Sequence, residues 1–349
     1  MTQTIANKQH PIGSGFTAST TTDEVLAGID LSGKNVIVTG GHVGLGLEAT
    51  RALAGAGARV TVGSRDPGRA AAALAGVDGV RVGRLDLLDP ASIDAFAESF
   101  LDAGLPLHIL LNNAGIMGGP LIRDARGYES QFATNHLGHF QLTLRLLPAL
   151  RAAHGARVVN TTSGATRIAD IRWDDPNFTA GGYDGQLAYA QSKTANVLFA
   201  VELDRRWAGD GIRGFAAHPG IIVGTQLGNS MPADQVRAMQ VATGLVDEAG
   251  RPVIDPDRGK KTPQQGAATI VFGAVSPLLA DIGGVYLRDC DVSPLDETVD
   301  LNAQGADLIR SQNVVPHSID PESARRLWEL SERLLGQRGS GASRLVMAS

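Results

Sequence analysis

Tyr189 and Lys193 are four residues apart in an alanine-rich stretch that predicts a helix over residues 187–208. Positions i and i+4 of a helix share a face, so the two side chains would lie one turn apart. An ammonium beside a phenol stabilises the phenolate and lowers a phenol pKa that starts near about 10. The pair therefore predicts a tyrosine that exchanges a proton near neutral pH, although a plain amphipathic contact explains many such pairs taken alone.

A glycine-rich turn follows the first β-branched run of the chain. The run from Val36 to Thr39 leads into Gly40, Gly44, Leu45 and Gly46, and an alanine-rich helical stretch comes next. Glycines without a Cβ allow backbone N–H groups and the helix N-terminus to face a pyrophosphate. This strand, turn and helix context predicts a dinucleotide-binding turn, with an ordinary tight turn as the alternative.

The end of the second predicted strand bears on which dinucleotide would bind. An acidic residue about twenty positions beyond the turn accepts from the ribose 2′-hydroxyl of NAD, whereas a cation suits the 2′-phosphate of NADP. Ser64 stands at the acidic position, and Arg65 follows with a guanidinium suited to phosphate. The pattern favours NADP(H) over NAD(H), unless Arg65 is a solvated charge that pairs with Asp66.

These candidate residues need a scaffold that brings strand ends together. From Lys34 onward, short β-branched runs alternate with longer alanine- and leucine-rich segments, which is typical of an α/β fold. We predict a single doubly wound, Rossmann-type parallel sheet of about seven strands with helices on both faces. The strands are expected at residues 36–38, 60–62, 80–82, 109–111, 158–160, 214–216 and 285–287, and the helices at 45–56, 91–103, 128–153, 187–208 and 321–335.

Composition divides the chain into three regions. Residues 1–32 are expected to form an N-terminal arm, in which Thr21 and Glu24 make a capping box that predicts one short helix. Residues 33–336 would form the catalytic domain. Within it, residues 220–266 have weak periodicity and predict a substrate lid. Residues 337–349 are rich in glycine and serine and predict a flexible tail.

The overall composition argues against several classes of protein. Hydrophobic residues make up 43% and charged residues 19%, which is typical of a globular chain. The 31 basic and 36 acidic residues give a net charge of −5, without the positive footprint of a nucleic-acid binder. The single cysteine, Cys290, cannot form an internal disulfide, and no histidine spacing predicts a metal site. No apolar run is long enough to predict a membrane span, so we expect a cytoplasmic protein.

From the glycine-rich turn through about Gly220, the chain resembles the short-chain dehydrogenase/reductase family. The further marks of that family are Asp86 with Leu87, the run from Asn112 to Gly115, Asn135, Ser163, Tyr189 with Lys193, and Pro219 with Gly220. Within the family, Arg65 and the runs Asn135 to Phe140 and Tyr189 to Asn196 resemble the retinol-dehydrogenase-like and protochlorophyllide-reductase-like branch. Val43, before the second glycine of the turn, departs from the serine or basic residue of many relatives.

The resemblance implies a catalytic set of four residues. Tyr189 would be the acid or base, and Lys193 would lower its pKa and hold the ribose of the cofactor. Ser163, just beyond the fifth strand, would fix the substrate oxygen. Asn135 would hold a water that links Lys193 to solvent. Thr225 comes one residue later than the family pattern, so no role is carried over to it.

The same resemblance implies where the cofactor would lie. Asp86 would accept from the adenine amino group, and Pro219 with Gly220 would border the nicotinamide. The residues expected against the cofactor are Gly40, Gly44, Leu45, Gly46, Ser64, Arg65, Asp86, Leu87, Asn113, Ala114, Gly115, Tyr189, Lys193, Pro219 and Gly220.

The expected function is an NADP(H)-dependent alcohol dehydrogenase or carbonyl reductase that works by hydride transfer. A light-dependent tetrapyrrole reductase and a non-catalytic NADP(H)-sensing regulator are the alternatives. The substrate is expected to be a small, largely apolar molecule held by Phe178, Tyr183, Leu227 and Met231. The family also allows a homodimer or homotetramer, unless the N-terminal arm and the C-terminal extension cap the helices that would pair.

Overall fold

A computed structural model describes residues 8–222, 227, 233–242, 244–247, 249–298 and 312–336. Its central sheet has eight strands in the order β10-β9-β6-β5-β4-β1-β2-β3, and β7 pairs with β8 separately. All neighbours in the central sheet are parallel except β9 and β10. The strands are β1 (Asn35–Thr39), β2 (Arg59–Ser64), β3 (Val80–Arg84), β4 (Ile109–Asn112), β5 (Ala156–Thr161), β6 (Ile212–His218), β7 (Ile221–Ile222), β8 (Lys260–Lys261), β9 (Val285–Arg288) and β10 (Asp291–Val292).

The predicted Rossmann-type sheet is confirmed, with one strand more than expected. All seven predicted strands are present, and the eighth is the two-residue strand β10, which is too short to show periodicity in the sequence. The continuous β-branched runs arise because both faces of the sheet are covered. In β1, Val36 and Val38 pack into one core and Ile37 into the core on the opposite face.

Helices cover the two faces of the sheet. They are α1 (Thr22–Leu26), α2 (Gly44–Gly55), α3 (Pro67–Ala73), α4 (Pro90–Leu101), α5 (Ser130–Phe132), α6 (Gly138–Arg145), α7 (Leu147–Ala152), α8 (Gly185–Trp207), α9 (Ala233–Ala242), α10 (Pro263–Val275) and α11 (Pro321–Leu334). The capping box of Thr21 and Glu24 starts α1. Among the described residues, no helix has both the length and the apolar character needed to cross a bilayer.

The predicted continuous helix over residues 128–153 is wrong. The segment contains α5, a π-helical turn over Ala133–Leu137, then α6 and α7. The π turn shifts hydrogen bonds to the fifth residue, as in the bond from Gly138 N to Ala133 O. Pro148, near the start of α7, has no N–H to continue the α6 pattern.

Three helices were not predicted from the sequence. Helix α3 is short, and α9 lies among the residues expected to form the lid. Helix α10 is buried along most of its length, so its residues from Gly266 to Ala274 show no amphipathic pattern. The segment 220–266 contains β7, α9, β8 and the first turn of α10.

The N-terminal arm docks on the edge of the sheet at β9 and β10. The Gln9 side chain donates to Tyr286 O at 2.9 Å and Ser293 O at 2.7 Å, and it accepts from Tyr286 N at 2.9 Å. The Asp291 carboxylate accepts from two further backbone N–H groups of the arm, those of Ile12 and Ser14. The amide of Gln9 thus supplies the hydrogen bonds that another strand would make.

The C-terminal helix α11 covers the outer face of α8. Trp328, which is 3% exposed, lies 4.8 Å from the ring centre of Phe140 and 5.3 Å from that of Trp207. The Tyr128 hydroxyl donates to Leu334 O near the end of α11. The chain's own helix therefore occupies a face that the family resemblance would pair with a second copy.

Replacing Gln9 by alanine should lower the free energy of unfolding by roughly 2 kcal/mol, because the buried Tyr286 N and Ser293 O lose the hydrogen bonds made by the Gln9 side chain. Urea unfolding followed by circular dichroism measures the change. His10, the exposed neighbour, provides the control. Equal losses in Gln9→Ala and His10→Ala would show that the arm does not stabilise the sheet edge.

Candidate active site

The carboxyl ends of the central strands open into a cavity of about 830 Å³. In parallel sheets such a crevice forms where strand order reverses, here between β1 and β4. Most residues expected against a cofactor line this cavity. They are Gly40, Gly44, Leu45, Ser64, Arg65, Asp86, Leu87, Asn113, Ala114, Gly115, Tyr189, Lys193, Pro219 and Gly220.

The glycine-rich turn presents an open cradle at the start of α2. Gly44 has a φ of +55°, and a Cβ placed on it would meet no atom within 4 Å. Val43, the N-cap residue of α2, makes no side-chain capping hydrogen bond. The Val43 side chain therefore does not cap the backbone N–H groups at the start of this helix. Uncapped N–H groups at a helix N-terminus suit the binding of an anionic group.

Gly46, which was also predicted to lie against the cofactor, packs against the glycine-rich turn itself. It is absent from the residues lining the cavity, and its Cβ would lie 2.4 Å from Gly40 O and 2.5 Å from Asn113 Nδ2. A side chain there would clash with the turn itself. The glycine is required because α2 packs closely against the end of β1, rather than because a ligand approaches it.

At the other end of the cavity, the residues after β2 carry positive charge. The Ser64 hydroxyl donates to Asp66 O, and the Asp66 carboxylate accepts from Arg69 N at 2.9 Å and caps α3. Within the described chain, Asp66 thus acts as a cap and forms no ion pair with Arg65. Both Arg65 and Arg69 are exposed and line the cavity.

His42 adds a polar group to the same cavity. Its ring lines the cavity, and its buried Nδ1 atom has no hydrogen-bond partner. Burial lowers the His42 pKa, and the charge of Arg69 lowers it further. Neither His42 nor Arg69 was predicted, although the helical spacing from Arg65 to Arg69 in the sequence was a usable signal. The donors at this end of the cavity fit a phosphate group.

The candidate catalytic residues Ser163, Tyr189 and Lys193 line one wall of the cavity. Asp184 caps α8 and starts the helix that places Tyr189 and Lys193 on one face. Lys193 Nζ lies 5.5 Å from the centre of the Tyr189 ring. Ser163 caps a short helical turn after β5, where its hydroxyl accepts from Ala165 N, and it lines the same cavity as Tyr189. The structure brings these three side chains together at one cavity wall.

Burial dominates the protonation of this group. It raises the pKa of Tyr189 to about 12, against a smaller lowering by the Ser163 hydrogen bond. It also lowers the pKa of Lys193 to about 8. Removal from water disfavours both charged forms, so burial opposes the lowering of the Tyr189 pKa that was predicted from Lys193.

Asn135, which was predicted to hold a water beside Lys193, does not itself line the cavity. It is fully buried in the π turn, where Oδ1 accepts from Ile116 N at 2.9 Å. Its Nδ2 donates to Ile116 O at 3.0 Å and Ser192 Oγ at 2.9 Å. The amide thus joins the turn after β4 to helix α8. A Cβ on Gly115 would lie 3.2 Å from Asn135 Oδ1 and 3.5 Å from Lys193 Nζ.

The substrate end of the cavity differs from the predicted aromatic pocket. Leu227 lines it, whereas Met231 and Thr225 lie outside the described residues. Phe178 is 1% exposed and packs on Tyr183, so neither ring reaches the cavity. The described residues that line this end are Ile116, Met117, Ile168, His218, Val236, Gln240, Leu245, Arg258, Lys260 and Gln312. No group of metal-ligating side chains occurs among the residues that the structure describes.

Sequence comparison identifies relatives over most of the chain. A family model described as short chain dehydrogenase matches residues 34–236. A "probable oxidoreductase" from Streptomyces lividans is 43% identical over 307 residues, covering 86% of this chain and 97% of that protein. Retinol dehydrogenase 12 from Homo sapiens is 37% identical over 316 residues, covering 89% of each chain.

Solved structures share the fold over most of the chain. The crystal structure of an uncharacterized protein from Mycobacterium Paratuberculosis matches with a TM-score of 0.64 and 32% identity, over 88% of this chain and 96% of that one. The Pseudomonas aeruginosa RhlG/NADP active-site complex matches with a TM-score of 0.55 and 25% identity, over 74% and 94% of the two chains. The family model matches more than half of the chain, and the relatives are similar over most of it. The chain therefore belongs to the short-chain dehydrogenase family.

Proposed function

We propose that the protein is an NADP(H)-dependent oxidoreductase that interconverts an alcohol and a carbonyl compound. The observation that carries the proposal is that Ser163, Tyr189 and Lys193 line one cavity that also reaches Arg65. A proton donor, an oxygen-positioning hydroxyl and a cation for phosphate are thus available in one site. When bound, the nicotinamide would supply or accept the hydride.

The protonation of Tyr189 suits the reduction of a carbonyl. With a pKa of about 12, the phenol is protonated at neutral pH and holds the proton that the substrate oxygen needs. The Ser163 hydroxyl would bind that oxygen and keep it within reach of the phenol. Lys193, whose Nζ donates to Thr161 O at 3.1 Å, would use its remaining N–H groups to bind the cofactor ribose.

The cofactor preference rests on the charges after β2. Arg65 and Arg69 line the same end of the cavity, and Ser64 stands where an NAD-binding chain would carry an acid. A phosphate there would receive charge-assisted hydrogen bonds. The structural relative with 25% identity is described as an NADP active-site complex, which supports the same choice.

For the substrate we propose an apolar alcohol or aldehyde. Ile116, Ile168, Val236 and Leu245 supply apolar surface at the end of the cavity beyond Ser163. Similarity to retinol dehydrogenase 12 makes retinal a reasonable first compound in a panel of aldehydes, ketones and alcohols. Turnover in darkness would exclude a requirement for light, and tight NADPH binding without turnover of any compound would favour a sensing role.

Replacing Tyr189 by phenylalanine should reduce kcat at least a hundredfold, because the proton for the substrate oxygen is lost. The dissociation constant for NADPH, measured by fluorescence titration, should change less than threefold. Tyr183→Phe is the matched control, since Tyr183 contacts Gln131 outside the cavity. Unimpaired turnover in Tyr189→Phe would disprove the assigned role.

Replacing Arg65 or Arg69 by alanine should weaken NADPH binding about tenfold and leave NADH binding nearly unchanged, because only NADPH carries the 2′-phosphate. Isothermal titration with both cofactors measures this preference. Arg84→Ala removes an exposed arginine at the end of the neighbouring strand and serves as the control. An equal loss for NADPH and NADH would refute the phosphate site.

Replacing Lys193 by methionine should stabilise the fold while impairing catalysis. Burial lowers the Lys193 pKa from 10.5 to about 8, so the charged form is penalised below pH 8. As the pH rises from about 8, the folded-state pKa, to 10.5, the ordinary pKa of lysine, this penalty shrinks. It vanishes above pH 10.5. The gain should reach roughly 3 kcal/mol at neutral pH and fall as the pH rises toward 10.

Urea unfolding at several pH values tests this dependence, with exposed Lys34→Met as the control. A stability difference that does not vary with pH would contradict the buried-charge explanation.

A further inference from the structure

His139 connects two parts of the active site without facing the cavity. It is 1% exposed, and its Nε2 lies 2.8 Å from Thr39 Oγ1 at the end of β1. Its Nδ1 lies 3.0 Å from the backbone oxygen of Asn135 in the π turn. One imidazole therefore joins the strand that leads into the glycine-rich turn to the turn that carries Asn135.

The hydrogen bonds around Thr39 fix the tautomer of this ring. Thr39 Oγ1 accepts from Asn113 N and Ala114 N, both at 2.9 Å, and these two bonds use its lone pairs. Its own hydrogen must then be donated, either to His139 Nε2 at 2.8 Å or to Leu111 O at 3.4 Å. The shorter contact requires an unprotonated Nε2, so Nδ1 carries the hydrogen and donates to Asn135 O.

The neutral form that this arrangement needs is also the favoured one. The pKa of His139 is lowered to about 4, mainly by burial, with the hydrogen bond to Asn135 O opposing the shift and the charge of Lys193 adding a smaller lowering. The ring is consequently uncharged through the neutral pH range, and one nitrogen remains an acceptor.

His136 lies one turn away, and the surroundings of its two ring nitrogens differ from those of His139. Its Nε2 lies 2.8 Å from Ser331 Oγ, which already donates to Leu327 O, so the histidine is the donor. The Nδ1 atom of His136 is buried without a hydrogen-bond partner. Its ring packs among Phe132, Phe140 and Phe199, outside the cavity lining. His136 is thus an equally buried histidine with the opposite tautomer and no link to Thr39.

We infer that His139 is a positioning residue that holds the end of β1 and the turn after β4 in register with Asn135 and helix α8. Thr39 orients the N–H groups of Asn113 and Ala114 beside the cavity, and Asn135 reaches α8 through Ser192. His139 connects Thr39 to Asn135, in addition to the bonds that Asn135 makes with Ile116 of the same turn. The inference rests on the proposed function, because it assigns the first set to cofactor binding and the second to catalysis.

Nuclear magnetic resonance of the full chain tests the arrangement without any turnover. With histidine labelled by ¹⁵N, long-range proton–nitrogen spectra distinguish the two tautomers of each ring. We expect His139 to be protonated on Nδ1 and His136 on Nε2, with signals assigned by their loss in His139→Asn and His136→Asn. Addition of NADPH should shift the His139 signals and leave those of His136 in place. Protonation of His139 on Nε2 would overturn the inference.

Two substitutions separate the two contacts of the ring. Asparagine places an amide nitrogen near the position of Nδ1, so His139→Asn retains the bond to Asn135 and loses that to Thr39. Glutamine reaches toward the position of Nε2, so His139→Gln retains an acceptor for Thr39 and loses the bond to Asn135. We expect about tenfold weaker NADPH binding in the first variant and about tenfold lower kcat in the second.

His136→Asn is the matched control, with NADPH affinity and kcat within about twofold of the unmodified protein. Equal effects in His136→Asn and His139→Asn, or changes below twofold in both His139 variants, would refute the positioning role. If a variant does not fold, the tautomers of the unmodified protein still decide the question. Failure of the unmodified protein to bind NADPH would instead contradict the proposed function, independently of the tautomer result.

Discussion

The burial of an amine beside a phenol is the constraint on which the rest of the site depends. Lys193 is 2% exposed and Tyr189 is 5% exposed, and removal from water raises the free energy of the charged form of each. The fold keeps Lys193 there by packing α8 against β6 on one side and α11 on the other. Thr161 O accepts from Lys193 Nζ and also from Asn196, so the amine has a fixed hydrogen-bond partner.

The open end of the sheet supplies the second requirement, a crevice bounded by backbone groups. Strands β1 and β4 are neighbours, and the Thr39 hydroxyl at the end of β1 accepts from two N–H groups of the turn after β4. Gly46 lets α2 approach closely, and Gly44 leaves the start of that helix open. Close packing behind the turn thus holds open the face that an anion would occupy.

Segments before and after the residues matched by the family model cover the edge of the sheet, one helix and part of the cavity. Gln9 closes the sheet edge, and Trp328 covers α8. Gln312 lines the substrate end of the cavity, where its Oε1 lies 3.0 Å from His218 Nε2. The region matched by the short-chain dehydrogenase model is therefore combined with a cavity lined partly by a residue late in the chain.

The sequence by itself determined the sheet, the glycine-rich turn and the helix bearing Tyr189 and Lys193, because these follow from local periodicity and short spacing. Tertiary structure decided the burial of α10 and the docking of Gln9, since each depends on contacts distant in sequence. It also decided that burial governs the Tyr189 pKa and that Asn135 lies behind the cavity wall. Spacing places side chains on a common helix face, but the solvent and partners around them are set only when all elements pack.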